Sequence, residues 1–477
     1  MRFSSSIIMI FLLIIAVSET ACKKETTLNS GGTIRYSTDT VTFDTVFTSL
    51  GSFTTSFKIY NPQNQKINIS SIKLENANGK GYFHINVDGY AGGANSIELM
   101  PKDSIWVFAT VTIDPNDQNT PFIIEDNVIT TMNGKQFKLP LVAYGQNAHY
   151  IVDSVLETQT WLTDKPYVIM HNAEVDSDAT LTIPAGCHIY VHADSRLFVV
   201  GTLRAIGTKK DSIVFQGDRL DRAYFGNEGY PGEWGGLYFT PSSTNNVLDY
   251  VVLKNCGNST KLGDAFIQPA AIQVTSDHIR SDYQLTMNHC IIENSIGYGI
   301  LSFSGSIKAQ NCLINTCGAN NLGITQGGTY EFNNCNFVTY GTNKVSHIDN
   351  PCVIISNFFT TDNISYVIGD LNATLRNCVI WGSMDQELYT TKLSQAAYNL
   401  TLDHCLYKKN DTLAAGITLT NNIVNKDPMF VNYQNWDYHP QAGSPLIDNG
   451  VSIPALTDDL DGNPRAGVPD IGCYEFK

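Results

Sequence analysis

A short phrase built around a cysteine recurs in the second half of the chain at a nearly fixed spacing. Three copies contain Cys290, Cys312 and Cys335, which lie 22 and 23 residues apart (312 − 290 and 335 − 312). The phrase returns around three further cysteines, Cys256, Cys378 and Cys405. One repeat of this size cannot bury its apolar side alone, so neighbouring repeats must stack. The spacing therefore predicts a solenoid.

Each copy of the phrase has the pattern of two short strands. The residues five and three places before the Cys are mostly apolar, as are the Cys and the residue two places after it. Each pair has the period of two of a strand with one buried side, and the change of parity between the pairs requires a bend. The residue directly before the Cys is always Asn or His: Asn255, His289, Asn311, Asn334, Asn377 and His404. Because Asn and His readily take positive φ, we expect a strand–bend–strand coil of a parallel β-helix.

The repeated cysteines themselves allow three interpretations: metal ligands, redox partners or fillers of the core. Stacked strands are about 4.8 Å apart, which is within the range of a disulfide, but strands in register present their Cβ atoms side by side. Only Cys312 and Cys317 are close in sequence, and no CxxC or CxxH pattern lies nearby. We therefore expect small, buried, apolar fillers.

The N-terminus carries the pattern of an exported protein. An uninterrupted apolar run, residues 7–17, follows Arg2. It is too short to cross a bilayer but suits the core of a signal peptide. Ala21 before Cys22 resembles a bacterial lipoprotein processing site, which implies a signal peptide over residues 1–21 and a lipid on Cys22. Residues 22–35 then predict a flexible tether, similar to the export tails of Bacteroidota lipoproteins. An ordinary secretory signal peptide is the alternative.

Charge and composition narrow the possible partners. The formal net charge is −15, and the Lys and Arg residues are scattered rather than clustered. This argues against nucleic acid and against adhesion to an anionic lipid surface, so we expect membrane contact only through the lipid anchor. No second apolar run of 18 residues occurs, and long amphipathic helical patterns are absent. The chain is predicted to be all-β.

Residues 36–148 predict a β-sandwich. Alternating apolar runs, such as 41–47, 55–60 and 67–74, are separated by turn clusters including Asn61-Pro62 and Asn133-Gly134. Several short strands at such spacing are typical of a sandwich. The segment resembles the immunoglobulin-like domains that follow lipid anchors in bacterial surface proteins. This resemblance implies a spacer or, alternatively, a binding module.

Residues 149–428 predict the solenoid, and residues 429–477 an atypical cap at its C-terminal end. Glycines separate three predicted strands within residues 179–217. Together with segments 217–221 and 232–236 they resemble the start of right-handed parallel β-helix lipoproteins of Bacteroidota, which have the pectate-lyase-like fold. The tail resembles the C-terminal segment of many bacterial β-helix proteins. Its aspartates Asp458, Asp459 and Asp461 are candidate calcium ligands, although Pro464 stands where a calcium loop requires Gly. No other cofactor is expected.

A loop rich in Gly and Pro supplies the candidate ligand-binding residues: Tyr224, Tyr230, Glu233 and Trp234. Aromatic rings beside carboxylates can stack on sugar faces and bond sugar hydroxyls. The same rings can instead cover an open end of the solenoid. Both interpretations stand on the sequence.

Enzyme activity must be tested against specific motifs, because bacterial β-helices often cleave polysaccharides. Polygalacturonase-like members carry a Gly-His-Gly, which is absent here, and no nucleophile-elbow motif (G-x-S-x-G) occurs. A lyase needs a Lys or Arg base near a neutralising cation. Arg376 and Asp403, which occupy the same column of the repeat, are the best candidate pair. A surface ion pair explains them equally.

Two functions therefore remain open. The first is an outer-membrane lipoprotein, on the cell surface or the periplasmic side, whose β-helix contacts glycans or other surface components without cutting them. The second is a polysaccharide lyase or glycoside hydrolase with an unfamiliar site. A groove where cations and carboxylates meet from adjacent coils would favour the enzyme, and a flat or aromatic face would favour binding.

Overall fold

The computed structural model describes residues 26–76, 81–220, 229–263, 265–360, 362 and 364–477. The chain divides into two compact units between Asn147 and Ala148. The predicted signal peptide, the candidate lipidation residue Cys22 and the candidate ligand residue Tyr224 lie outside the described residues. Within those residues, no helix has the length and apolar character needed to cross a membrane.

The first unit is a β-sandwich of two five-stranded sheets, which confirms the predicted fold class. Its strands are β1 (Arg35–Tyr36), β2 (Val41–Phe47), β3 (Thr55–Tyr60), β4 (Ile67–Leu74), β5 (Phe83–Val87), β6 (Tyr90–Ala91), β7 (Ala94–Leu99), β8 (Ser104–Val111), β9 (Phe122–Met132) and β10 (Lys135–Gln146). One sheet has the order β1-β3-β8-β5-β6 and the other β2-β10-β9-β4-β7. Strand β2 runs parallel to β10, whereas the other pairs are antiparallel.

Buried and exposed side chains alternate along strand β8, and this alternation shows how the core of the sandwich is filled. Its inward residues Ile105, Val107 and Ala109 are buried among the apolar side chains of both sheets. The outward residues Trp106 and Phe108 are 47% and 43% exposed. The period of two in the sequence therefore selects which side chains enter the core.

The second unit is a parallel β-helix with a separate C-terminal segment. Its strands are β11 (His149–Leu156), β12 (Gln159–Thr160), β13 (Tyr167–Val175), β14 (Thr180–Pro184), β15 (His188–Val191), β16 (Arg196–Val199), β17 (Thr202–Ile206), β18 (Ile213–Gly217), β19 (Gly236–Phe239), β20 (Asn246–Asp249), β21 (Val251–Lys254), β22 (Thr260–Leu262), β23 (Ala265–Ile267), β24 (Ala270–Thr275), β25 (Leu285–Asn288), β26 (Ile291–Ser295), β27 (Tyr298–Phe303), β28 (Ser306–Gln310), β29 (Leu313–Cys317), β30 (Leu322–Thr325), β31 (Gly328–Asn333), β32 (Asn336–Thr339), β33 (Val353–Ser356), β34 (Phe358–Phe359), β35 (Val367–Ile368), β36 (Leu371–Arg376), β37 (Val379–Gly382), β38 (Leu388–Thr391), β39 (Tyr398–Asp403), β40 (Leu406–Tyr407), β41 (Thr418–Thr420), β42 (Ile423–Val424), β43 (Phe430–Asn432) and β44 (Asp437–Pro440). One 3₁₀ turn spans Tyr433–Asn435.

Three strands from each complete coil build three faces. Face A is the ten-stranded sheet β12-β14-β17-β20-β25-β28-β31-β36-β39-β41. Face B contains β15, β18, β21, β26, β29, β32, β37, β40 and β42, and face C contains β16, β19, β24, β27, β30, β33 and β38. Strands β11 and β13 extend across faces B and C, which joins these two faces into one sheet of eighteen strands. Neighbouring strands within a face pair in parallel, and their register places equivalent residues of successive repeats next to one another.

The bend between faces A and B has the conformation that the repeat predicts. Five of the six predicted residues form this bend and take φ between 49° and 52°: His289, Asn311, Asn334, Asn377 and His404. Asn255 also has positive φ (56°), but it follows β21 and lies between faces B and C, and Tyr250 (φ 48°) forms the bend between faces A and B in that coil. Left-handed backbone costs most residues roughly 1–2 kcal/mol, and Asn tolerates it best among those with a Cβ. The bend prediction is confirmed for these five copies and wrong for the early copy at Cys256, whose Asn lies at the next corner of the coil.

The repeated cysteines line the interior beside this bend. Cys290, Cys312, Cys335, Cys378 and Cys405 have no exposed surface, and none of the described cysteines forms a disulfide. Burial raises the pKa of Cys290, Cys335 and Cys405 well above the ordinary value. These thiols are fillers of the core, as expected.

The C-terminal segment covers the side of the solenoid. Its buried residues Phe430, Tyr438 and Leu446 pack on outward apolar side chains of face B, including Leu313 and Val379. Face B carries apolar residues on both of its sides at these coils, so it needs a cover. At the last coil, three partly buried residues of the loop between β40 and β41 pack against the core: Leu413, Ala414 and Ile417.

The bend asparagines attach this segment. The Asn377 side chain exchanges two 2.8 Å hydrogen bonds with the backbone of Val451. Asn334 donates to the carbonyl of Asp470 at 3.2 Å, and Asn311 accepts from Arg465 Nη2 at 2.9 Å. The same residue type therefore shapes the bend and binds the tail.

Candidate functional site

Face A carries a charged cluster formed by neighbouring coils. Lys308 on β28 and Glu331 on β31 are paired in register, and Lys308 Nζ lies 3.3 Å from Glu331 Oε1. The Tyr283 hydroxyl donates to Glu331 Oε2 at 2.8 Å, and Asn333 Nδ2 donates to Oε1 at 2.7 Å. Lys308 Nζ also lies 5.8 Å from the centre of the Tyr283 ring. An aromatic ring, a cation, an amide and a carboxylate therefore meet at one place.

The predicted pair of Arg376 and Asp403 forms a second cluster on this face. The two residues are paired in register on β36 and β39, and Arg376 Nε donates to Asp403 Oδ2 at 3.0 Å. His404 Nδ1 lies 2.7 Å from the other carboxylate oxygen of Asp403. Asn421 Nδ2 lies 3.1 Å from His404 Nε2. The structure thus brings the predicted pair into contact and adds a histidine to it.

The carboxylates of these two clusters are held in the ionised form. Desolvation raises the pKa of Glu331, but hydrogen bonds from Tyr283 and Asn333 and the charge of Lys308 outweigh it, so the pKa is lowered. Desolvation acts likewise on Asp403, and Arg376 and His404 outweigh it to lower the pKa. Burial, with the neighbouring Glu331, raises the pKa of Tyr283 to about 12. At neutral pH neither carboxyl group has a proton to donate.

Uncharged polar side chains lie next to the charged residues on strands β36 and β39. Thr374 on β36 follows Glu331 in the same column, and Thr401 on β39 follows Thr374. Asn399 Nδ2 donates to Asn372 Oδ1 at 2.9 Å across the same two strands. Face A therefore presents hydroxyl and amide groups on β36 and β39, on the same strands as Arg376 and Asp403 and next to the strand of Glu331.

Sequence reasoning missed Lys308 and Glu331, although the repeat contains the signal. Both stand four places before the Cys of their copy, where the other copies have Thr286, Thr374 or Thr401. Aligning the copies by this position would have placed the two charges on adjacent coils. Tyr283 stands outside the repeat and has no such signal.

The predicted ligand residue Trp234 requires a correction. Its side chain has no exposed surface, its ring stacks on Phe215 with centroids 6.1 Å apart, and its Nε1 donates to the Lys254 carbonyl at 2.8 Å. A ring enclosed in this way has no face for a sugar. Trp234 is a core residue. Its position in a Gly-rich segment predicted a loop, and nothing in the sequence indicated that the ring is buried.

Its neighbours Tyr230 and Glu233 are near the surface. Tyr230 is 50% exposed, and Lys344 Nζ lies 5.2 Å from the centre of its ring. Glu233 Oε1 accepts from the Tyr230 backbone nitrogen at 2.8 Å. Their role in ligand binding stays a prediction.

The three candidate calcium ligands each have partners within the protein. Buried Asp459 accepts from the Asn463 backbone at 2.7 Å and from the Glu475 backbone at 2.9 Å. Asp461 pairs with Lys209 and with His439, and Asp458 Oδ1 lies 3.5 Å from His289 Nε2. These contacts attach the C-terminal segment to the coils. Calcium binding by this cluster stays a prediction.

A different group of possible metal ligands lies inside the β-helix. Glu387 and His347 side chains are 0% and 1% exposed, and His347 Nε2 lies 3.0 and 3.1 Å from the two Glu387 oxygens. Cys352 Sγ is 4.0 Å from the same nitrogen. The Cys352 and Met384 backbone nitrogens donate to Glu387 at 3.0 and 2.8 Å. No sequence motif marked this group.

The sandwich presents a separate aromatic surface. The rings of Trp106 and Phe108 are stacked with centroids 6.3 Å apart, and Lys58 Nζ lies 4.3 Å from the Trp106 ring centre. This surface fits the alternative that the first unit is a binding module.

Comparison with known proteins adds little beyond this geometry. No protein-family model and no curated protein matches the chain. One solved structure with a local match is a family 123 glycoside hydrolase from Clostridium perfringens, described in a structural study of glycolipid glycan hydrolysis. The match has 10% identity and a TM-score of 0.17, and covers 24% of this chain and 26% of that one. The activity of that hydrolase is therefore not carried over to this chain.

Proposed function

We propose that this protein is a cell-envelope lipoprotein whose β-helix binds glycans along face A without cleaving them. The observation that carries the proposal is the polar surface formed by the Lys308–Glu331 pair, the Arg376–Asp403 pair and the uncharged side chains of β36 and β39. Successive strands place equivalent side chains about 4.8 Å apart. An extended polysaccharide lying across the strands would meet similar hydrogen-bonding groups coil after coil.

The chemistry of this surface suits sugars. Tyr283 offers an aromatic ring with a polar end, which is common where a ligand is partly apolar and partly wet. Threonine hydroxyls and asparagine amides both donate and accept hydrogen bonds, and on β36 and β39 they lie on the same strands as Arg376 and Asp403. Such groups can bond sugar hydroxyls without any chemical step.

The state of the carboxylates argues against hydrolysis at this surface. A glycosidase needs one carboxylic acid with a raised pKa to protonate the leaving oxygen. On face A the pKa of Glu331 and that of Asp403 are both lowered. The Arg376 side chain is engaged by Asp403, which reduces its capacity to act on a uronate proton.

The N-terminal sequence supports the proposed cellular location. The apolar run at residues 7–17, Ala21 and Cys22 support export and lipidation. Cys22→Ala should release the protein from the membrane fraction and abolish incorporation of labelled fatty acid. Release of the wild type together with a lack of label would favour the secreted alternative.

Binding should be measured with the purified mature protein against a panel of neutral and uronate polysaccharides. Lys308→Ala should weaken binding by about tenfold, which corresponds to the loss of one charge-assisted hydrogen bond. The matched control is Lys254→Ala on face B, where Lys254 Nζ lies 3.0 Å from Glu293. Equal effects of both changes would contradict a site on face A.

Two further measurements distinguish binding by face A from binding by the sandwich and from catalysis. Loss of binding in Trp106→Ala, with face A variants unaffected, would place the site on the sandwich. Formation of unsaturated products or new reducing ends on the same panel, abolished by Arg376→Ala, would overturn the non-catalytic proposal in favour of a lyase or hydrolase.

A further inference from the structure

We propose that His347, Cys352 and Glu387 bind a single divalent metal ion of the zinc class inside the β-helix. One ligand atom from each residue lies within 4.8 Å of the other two. Imidazole nitrogen, thiolate sulfur and carboxylate oxygen are the three kinds of protein ligand that zinc accepts. This site is separate from face A and does not depend on its function.

The three residues belong to loops of neighbouring coils. His347 and Cys352 lie in the connection between β32 on face B and β33 on face C, and Glu387 lies in the equivalent connection between β37 and β38. The backbone of Cys352 donates to Glu387, so the two loops are joined at this point. Gly382 is required beside them, because a Cβ there would lie 2.4 Å from Glu387 Oε1.

The spacing of the ligand atoms is close to that of a metal site. Zinc bonds of about 2.0–2.3 Å in a tetrahedron place ligand atoms about 3.3–3.6 Å apart. The nitrogen–oxygen separations here are 3.0 and 3.1 Å, and the sulfur–nitrogen separation is 4.0 Å. The Cys352 sulfur and the Glu387 oxygen lie within 4.8 Å of each other, so shifts of up to about 1 Å would bring all three atoms to the separations of a zinc site.

A catalytic relay does not explain this arrangement. In such a relay the acid and the nucleophile contact opposite nitrogens of the histidine ring. Here Glu387 and Cys352 both face His347 Nε2, and His347 Nδ1 has no hydrogen-bond partner. Three atoms that converge on one point suit a shared cation.

Charge and protons balance when the metal binds. Cys352 releases its thiol proton to solvent, and in the neutral imidazole the proton of Nε2 moves to Nδ1. A divalent ion with one thiolate, one carboxylate and one neutral imidazole has zero net charge, which suits a site without solvent exposure. The carbonyl oxygen of Trp381 accepts a hydrogen bond from Cys352 Sγ at 3.3 Å and is a further polar group at the site.

The test is metal binding by the purified mature protein after dialysis against a chelator. Titration with zinc in competition with a chromophoric chelator should give one equivalent per chain. Cobalt(II) should produce a thiolate-to-metal absorption band. His347→Gln and Cys352→Ser should each weaken zinc binding by at least about tenfold, because loss of an outer partner alone already costs that much. The control is Cys405→Ser, which removes an equally buried thiol elsewhere and should bind zinc as the wild type does.

Two outcomes would overturn the proposal: no zinc uptake by the wild type, or equal uptake by Cys352→Ser and the wild type. If the ligand variants fail to fold, the wild type decides alone. A cobalt–thiolate band together with a zinc-dependent rise in Tm then supports the site, and the absence of both refutes it.

Discussion

The guanidinium of Arg465 lies against the carboxylate of Glu475 at a buried point where the C-terminal segment meets the coils. The two side chains are 3% and 11% exposed. Arg465 also donates to the carbonyls of Asp458 and Gly472 at 3.0 and 2.9 Å. One residue therefore joins three parts of the tail and, through Asn311, the bend of a central coil.

Arg465→Ala should lower the free energy of unfolding by about 3–5 kcal/mol, because it leaves the Glu475 carboxylate buried without its partner. Denaturant unfolding followed by circular dichroism measures this loss. Arg204→Ala, at an exposed position of β17, should change stability by less than about 0.5 kcal/mol. A similar small effect of Arg465→Ala would show that the tail is held mainly by its apolar contacts.

Substitutions of Asn334 should separate the contribution of its side-chain hydrogen bonds to stability from that of the positive φ at the bend. Asn334→Ala loses the side-chain hydrogen bonds to the tail and puts alanine at φ 51°. We expect a loss of about 2–4 kcal/mol. Asn334→Gly loses the same bonds but accepts the positive φ, so it should be the more stable variant of the two. The reverse order in denaturant unfolding would contradict the role assigned to the backbone.

Acid should destabilise the solenoid partly through Glu331. Because its pKa in the folded protein is lowered, its stabilisation is complete above the ordinary value of 4.5 and is lost as the pH falls through the folded-state pKa. Glu331→Gln should therefore flatten the acid side of a stability–pH curve measured by thermal unfolding. Asp385→Asn, at a side chain that is 90% exposed, serves as the control and should leave the curve unchanged.

The buried thiols should be unreactive while the protein is folded. Since burial raises the pKa of Cys290, Cys335 and Cys405, a disulfide reagent should modify none of them in the native protein. Denaturation should expose the ten free cysteines of the described residues. Rapid labelling of Cys335 under native conditions, identified by mass spectrometry, would contradict a closed core.

The repeat predicted most of the fold because its information is local. Alternation selects the buried side of each strand, and an Asn or His before each Cys predicts the positive φ at the bend. The sandwich followed from the same alternation between turns. These features depend on neighbours in sequence, so a single sequence contains them.

The sites were harder to predict because they depend on contacts between distant residues. The Arg376–Asp403 contact was found because both residues occupy one column of the repeat. Trp234 was misplaced because a Gly-rich segment does not reveal which ring turns inward. His347 and Glu387 come together only when two irregular loops of adjacent coils stack, and no spacing in the sequence signals that contact.

The C-terminal segment changes how the β-helix responds to force. In a simple solenoid each coil contacts only its neighbours, so pulling at one end peels the coils away singly. Here the segment continues from the last coil and reaches back to Lys209 near the first coils, where Asp461 binds it. Tension on the C-terminus is therefore transmitted in shear along several coils at once. The solenoid should rupture as one mechanical unit.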